Sequence, residues 1–439
     1  MKFNILKQSI NWRTTVHEAN LVHTINELLT GNLRLLTRKI LENVPQVESI
    51  YLTGSYARGE GSVLVDEGEI RFLSDYDLLI IANAHPFFLK FKTRLLHKLL
   101  FSMKLPNVEI MDGHPIAEIL LMAPSQTRNS SMTVTSLFKY ELKNSKLIYG
   151  EDILNRTIED SSTQIIPMNN GLRVLFDRMF GAIIPFSPEL SEFRPAERRL
   201  RHLMFESAKL ALACRDILLL LTGNYLISES ERQNFFENNR MKYRFLIHDI
   251  SSFFDLIREA HNYRLRPSKE AEKNAYSFAI RTFKATLAIL DVYLNKVYNL
   301  KFNDFSDISQ SLLSINFHPI YYEFGILISR HSNKKTFSFA HIKNRPLKKI
   351  LIALILLLVC MNETGIDRKI LNTAYYLIFG KSEKNANCGD KKLWNILKDC
   401  VCDYYTSPFP PQLKLNDYFH NIFAEVLIRI EKPWLISNK

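Results

Sequence analysis

Two short apolar runs near the N-terminus limit what this chain can become. Val47 to Leu52 runs into Thr53-Gly54-Ser55-Tyr56-Ala57-Arg58-Gly59-Glu60, and Ser74-Asp75-Tyr76-Asp77 leads into Leu78-Leu79-Ile80-Ile81. Runs of this length, rich in apolar and β-branched residues, read as strands. Successive side chains of a strand point to opposite faces, so Asp75 and Asp77 share one face while Tyr76 and Leu78 take the other. Two carboxylates on one face repel unless a cation lies between them, and oxygen ligands of this kind suit magnesium. Gly54 lets the backbone approach an anion without a Cβ in the way, and Ser55 adds a hydroxyl and a backbone N–H. Arg58 is a further partner for a phosphate or carboxylate.

The surroundings predict how the two strands are held. Leu21, Ile25, Leu28, Leu29, Leu33, Leu36, Ile40 and Leu41 recur at helical spacing between Thr15 and Asn43. Between Ser55 and Asp75, the runs Ser62-Val63-Leu64-Val65 and Ile70-Arg71-Phe72-Leu73 flank a polar turn with Gly68, which predicts a hairpin that returns to its start. A helix over Phe87 to Met103 and a short strand over Val108 to Met111 follow. From about residue 155 the patterns turn helical, most clearly over Gly171–Phe180, Pro195–Leu221, Met241–Asn262, Lys269–Leu300 and Leu347–Met361, with a last helix over Leu415–Ile430. The expected fold is α+β, a small mixed sheet followed by mainly helical parts. A length of 439 residues exceeds the roughly 250–300 that one core serves. The expected division is residues 1–155 with the hairpin inserted at 60–74, a helical domain at 156–305, and a C-terminal helical region at 306–439.

A formal charge of +12 favours polyanionic partners, although the basic residues are spread rather than blocked. Cys214, Cys360, Cys388, Cys400 and Cys402 contain no C-x-x-C pair, which argues against a zinc site or a disulfide framework and for a reducing, cytoplasmic setting. The start, Met1 to Gln8, has no signal-peptide h-region. Ile350 to Met361 is uninterrupted and apolar but shorter than the roughly 20 residues a bilayer span needs, so it reads as a buried helix, with no membrane role.

Together, Gly54-Ser55, the G-S-x-A-R-G form, Ser74-Asp75-Tyr76-Asp77 and the order of elements around them resemble the nucleotidyltransferase superfamily typified by DNA polymerase β and kanamycin nucleotidyltransferase. The resemblance covers residues 15 to 155. It implies that Gly54 and Ser55 bind the triphosphate and that Asp75 and Asp77 hold two Mg2+ ions. It also implies a third carboxylate on the next strand, where Glu109 of Val108-Glu109-Ile110 stands. Asp112 and Glu118 lie nearby, and a register slip of one residue exchanges the faces. The third acid would bind the metal that activates the attacking hydroxyl, or act as its base.

The implied reaction moves a nucleoside monophosphate from ATP or another NTP to a hydroxyl and releases pyrophosphate. The acceptor expected first is a small hydroxylated metabolite, then an RNA 3′ end, then a protein; the alternative is a non-catalytic nucleotide-sensing or partner-binding protein of the same fold. Glu206 to Ala213 and Leu221-Thr222-Gly223-Asn224-Tyr225 are similar to the helical part of kanamycin-type enzymes and to HEPN-like domains. Arg198, His202, Phe205 and Lys209 share one helical stripe, which reads as a basic wall over the cleft or as a solvated face. Lys209, interrupting a small apolar segment, is the residue of that stripe assigned to the nucleotide.

Overall fold

The computed structural model describes residues 19–109, 116–125, 141–154, 170–191, 196–244, 246–247, 249–299, 346–362, 365–379 and 389–406. The helix expected over Leu415–Ile430, the alternative acid Asp112 and the division near residue 305 lie outside the described residues. Within them the fold is α+β.

Helix α1 (Ala19–Asn43) leads into β1 (Val47–Thr53), a one-turn helix α2 (Gly54–Ala57), the hairpin β2 (Val63–Asp66) and β3 (Glu69–Phe72), then β4 (Tyr76–Ala82), α3 (Pro86–Ser102), β5 (Ala117–Met122) and β6 (Lys146–Gly150). The four-stranded sheet runs β5-β4-β1-β6, with β4 parallel to β5 and β1 antiparallel to both of its neighbours. Strand alternation divides its faces. Ile50, Leu52, Leu78, Ile80, Ile119 and Leu121 join one core with Ile25, Leu29, Leu33, Leu36 and Ile40 of α1 and Leu89, Leu96 and Leu100 of α3. Tyr51, Leu79, Ile81 and Met122 belong to a separate, smaller cluster on the opposite face. Asp77 and Glu118 have the parity of that second face.

The hairpin forms as expected, with Val63 opposite Phe72 and Asp66 opposite Glu69. Its turn residues Glu67 and Gly68 both have positive φ, 49° and 84°, as a two-residue type I′ turn requires. The base is closed by Leu73 N–H donating to Ser62 O at 3.0 Å and Ser62 N–H to Ser74 Oγ at 3.0 Å. Val63, Ile70 and Phe72 join the sheet core, whereas Leu64 and Leu73 join the core of the helical half. The insertion therefore wedges the two halves together.

The expected third strand differs. Residues 107–109 pair with the hairpin instead of with β4: Phe72 N–H donates to Asn107 O at 2.7 Å, Glu109 N–H to Phe72 O at 2.9 Å, and Phe72 bridges Val108 in parallel. The strand beside β4 is β5, whose run Ile119-Leu120-Leu121-Met122 suits a parallel strand covered on both faces.

The helical half comprises α4 (Asn170–Ile183), α5 (Glu197–Leu221), α6 (Glu229–Asn238), α7 (Ile250–Leu265), α8 (Ala275–Tyr298), α9 (Pro346–Val359), α10 (Arg368–Phe379) and α11 (Asp390–Thr406). One apolar cluster runs from Leu175 to Val401 and includes Ile352 to Leu358 of the apolar run. No helix among the described residues is long and apolar enough to cross a membrane. Helix α5 is central. Most of it from Arg201 onward is buried, so its stripe is no solvated face: His202 and Phe205 lie inside, Arg198 is exposed, and Lys209 is half-buried.

Because α5 is enclosed, its charges are matched internally. Arg215, fully buried, donates to both oxygens of Glu229 at 2.7 Å, to Gln233 Oε1 at 2.9 Å and to Asp216 Oδ1. Arg232 donates to Glu229 Oε2 at 3.0 Å, and His261 Nδ1 lies 3.1 Å from Glu229 Oε1. Burial opposes the Glu229 charge, but Arg215, His261 and Arg232 hold its carboxyl well below the ordinary carboxylate value. A depressed carboxylate stabilises the fold above its unfolded pKa, and that contribution is lost as pH falls through the folded value. Replacing Glu229→Gln leaves two buried guanidiniums short of a counter-charge, and removing one partner of a buried pair costs about 3–5 kcal/mol. A denaturation midpoint clearly below wild type at neutral pH, with the gap closing on acidification, is the expected outcome.

Candidate active site

Register brings three acids together. Thr53 is opposite Asp77 across β1 and β4, and Asp77 is opposite Glu118 across β4 and β5. Asp75, two residues before Asp77, has the same parity. The carboxylate oxygens of Asp75, Asp77 and Glu118 lie within 4.8 Å of one another. Burial pushes the Asp77 carboxyl well above its ordinary range, the Asp75 and Glu118 charges push further, and Arg58 and Lys209 oppose them. Like charges crowded in a desolvated place call for a cation. Three hard oxygen donors at this spacing fit magnesium, which takes one or two carboxylates and completes its shell with water and substrate phosphates.

Glu109 is not in this group. Its carboxylate accepts both oxygens' worth of hydrogen bonds from Arg201 Nη1, at 2.7 and 2.8 Å, with Arg71 Nη1 3.8 Å away. Arg201 also binds Glu272 Oε1 at 2.9 Å. Glu109, expected as the third carboxylate, lies apart because Val108-Glu109 extends the hairpin, and Glu118 of β5 stands beside Asp75 and Asp77 instead. The available signal was the Ala117-Glu118-Ile119-Leu120-Leu121-Met122 pattern, which repeats the one-acid-then-apolar form of Asp77-Leu78-Leu79-Ile80-Ile81.

Gly54 abuts the acids directly. Its φ is +66°, and a Cβ built on it would overlap Asp77 Oδ2. Ser55 follows on the same turn, half-buried. Tyr56 turns inward to stack on Tyr76 at 5.0 Å, and Gly61 leaves room for its ring. Arg58 Nε donates to Glu60 Oε2 at 2.9 Å. Glu60 escaped the sequence reading: its other oxygen accepts from Ser228 Oγ at 2.9 Å, Glu229 N–H at 2.7 Å and Ser230 N–H at 3.3 Å. A carboxylate of the sheet half thus caps the N-terminus of α6, where anions are favoured. Arg58 keeps its charge although burial opposes it, because Glu141 and Glu60 outweigh that cost.

The helical half faces the acids with cations. Lys209 Nζ donates to Glu206 Oε1 at 3.0 Å and lies 4.6 Å from the Phe205 ring centre. Arg178 of α4 and Arg264 of α7, which nothing in the sequence pattern singled out, are also near: the Asp75 and Glu118 charges act on Arg178, and the Asp75 charge acts on Arg264. The site combines an acidic floor on the sheet with a basic wall. No family model, curated protein or solved structure matches this chain.

Two outcomes follow from this geometry. Gly54→Ala forces Asp77 aside and adds a left-handed backbone cost of about 1–3 kcal/mol; a magnesium titration read by thermal shift should show affinity at least tenfold weaker than wild type. Asp77→Asn removes a carboxyl whose ionisation burial and the neighbouring acids oppose, so the metal-free variant should melt above metal-free wild type at neutral pH, and any gain that magnesium gives wild type should be mostly lost.

Proposed function

We propose that this chain is a magnesium-dependent nucleotidyltransferase of the polymerase β type, carried above all by the convergence of Asp75, Asp77 and Glu118 beside Gly54-Ser55. Asp75, Asp77 and Glu118 would hold two magnesium ions, which when bound supply electrostatic stabilisation of the phosphoryl centre and activation of the attacking hydroxyl. Gly54 lets the triphosphate approach the acids, Ser55 offers it a hydroxyl and an N–H, and Arg58 and Lys209 neutralise its charge. Glu60 keeps Arg58 directed by holding its Nε.

In the reaction an acceptor oxygen bonds to the α-phosphorus of ATP or another NTP. The bond from that phosphorus to the β-phosphate oxygen breaks, and pyrophosphate leaves. Glu118 lies on the edge of the acidic group away from Gly54 and takes the hydroxyl proton, directly or through water. A small hydroxylated metabolite is the acceptor we favour over an RNA 3′ end or a protein. The buried thiols of Cys214 and Cys360 support a reducing, cytoplasmic setting.

The assay is pyrophosphate release from labelled triphosphates with magnesium and candidate acceptors. Asp75→Asn or Asp77→Asn should lower turnover by at least about 10³-fold, and Glu118→Gln by about 10²–10⁴-fold, the range for losing a general base. Glu109→Gln should change turnover by only a few fold while lowering the melting temperature, since it breaks the Arg201 pair. A Glu109→Gln defect larger than that of Glu118→Gln would overturn the assignment of the third acid.

A further inference from the structure

Lys209 binds the buried Glu206 carboxylate, and the Glu206 charge also acts on Arg178 and Arg264. Arg178 and Gly181 lie one turn apart on α4, and a Cβ on Gly181 would stand 2.5 Å from Glu206 Oε2, so that side of α4 faces Glu206. Lys209 binds Glu206 at 3.0 Å. Lys209 and Arg264 lie 4.6 and 4.4 Å from the centre of the same Phe205 ring. The backbone of Arg264 is fixed where its carbonyl accepts from Ser62 Oγ at 2.6 Å, yet its Nη1 is buried and makes no hydrogen bond.

Arg178 and Arg264 also act on each other. Burial and the Arg178 charge both push the Arg264 pKa down, against Glu206, Glu229 and Asp75. Arg178 exposes part of its side chain to solvent. Its charge is sustained against desolvation by Glu206, Asp177, Asp75 and Glu118.

The acidic group supplies only part of this balance, since Arg264 Nη1 lacks a hydrogen-bond partner even with it in place. In the proposed reaction Asp75, Asp77 and Glu118 give their charge to magnesium, and the cations are left with Glu206, Asp177 and Glu229. A buried guanidinium N–H without a partner carries a desolvation cost. The ligand that satisfies two guanidiniums at once is an oxyanion, which their planar forks match in pairs of hydrogen bonds.

We infer that Arg178 and Arg264 form an oxyanion subsite for a phosphate group, on the helical side of the acidic group and separate from Gly54-Ser55. Its place in catalysis rests on the proposed function, whereas its binding does not require metal. The phosphate belongs either to the tail of the triphosphate or to the acceptor.

Calorimetry on the full chain separates these cases. In metal-free buffer, wild type should bind tripolyphosphate, and Arg178→Gln, at an exposed position, should weaken it about tenfold. Arg264→Lys, which keeps the charge but loses the fork, should weaken it similarly; near-UV circular dichroism checks that both variants are folded. Inorganic phosphate is then titrated with magnesium and a saturating non-hydrolysable ATP analogue present. Phosphate binding that persists and depends on Arg178 assigns the subsite to the acceptor, and phosphate binding abolished by the analogue assigns it to the triphosphate. No tripolyphosphate binding by wild type, or unchanged binding in both folded variants, overturns the inference. Absence of magnesium-dependent pyrophosphate release beside intact, Arg178-dependent phosphate binding would instead count against the nucleotidyltransferase reading alone.

Discussion

The site depends on the register of three strands. Thr53 against Asp77 and Asp77 against Glu118 put the end of β1 and the starts of β4 and β5 at one level. From there, alternation does the rest: the same parity that sends Leu78, Ile80, Ile119 and Leu121 into the core under α1 and α3 turns Asp77 and Glu118 to the other face. A slip of one residue between β4 and β5 would bury Glu118 among leucines, so the apolar core that specifies the register also specifies the acidic group. Gly54 completes the arrangement, since no other residue allows both its φ and its approach to Asp77.

This arrangement carries an electrostatic conflict that the fold contains without removing. Three carboxylates share a small volume, one of them desolvated enough to hold its proton far above the usual range. Opposing cations, Arg58 from the sheet half and Lys209, Arg178 and Arg264 from the helical half, moderate it. A site of this kind is poorly matched in itself, as perturbed groups at functional sites often are, and we propose that a metal ion and a polyanion together complete it.

Because the basic wall comes from other elements, the halves must be held in fixed relation. The contacts that do so are polar and specific: Glu60 on the N-terminus of α6, Ser62 on the Arg264 carbonyl, Glu109 on Arg201, and Asp66 on Lys269 at 2.7 Å. All four of the sheet-half partners stand in or beside the segment from Glu60 to Phe72 and the stretch that pairs with it. The hairpin is therefore the joint between the halves, with Leu64 and Leu73 anchoring it in the helical core.

What the sequence determined by itself is local. Periodicity of two and of 3.6 residues placed α1, β1, the hairpin, β4 and α3 to within a few residues, and alternation alone put Asp75 and Asp77 on one face. Glu109 was misplaced because a Val-Glu-Ile run has strand character whichever partner it finds, and its partner proved to be β3. Pairing is a non-local choice, decided by which apolar faces are buried together. Glu118 stood among the candidate acids at the head of an apolar run, whereas Glu60, Arg178 and Arg264 became legible only in three dimensions for the same reason. Each lies in an ordinary-looking stretch, and its chemistry comes from groups many residues away that packing of the helical half against the sheet brings near.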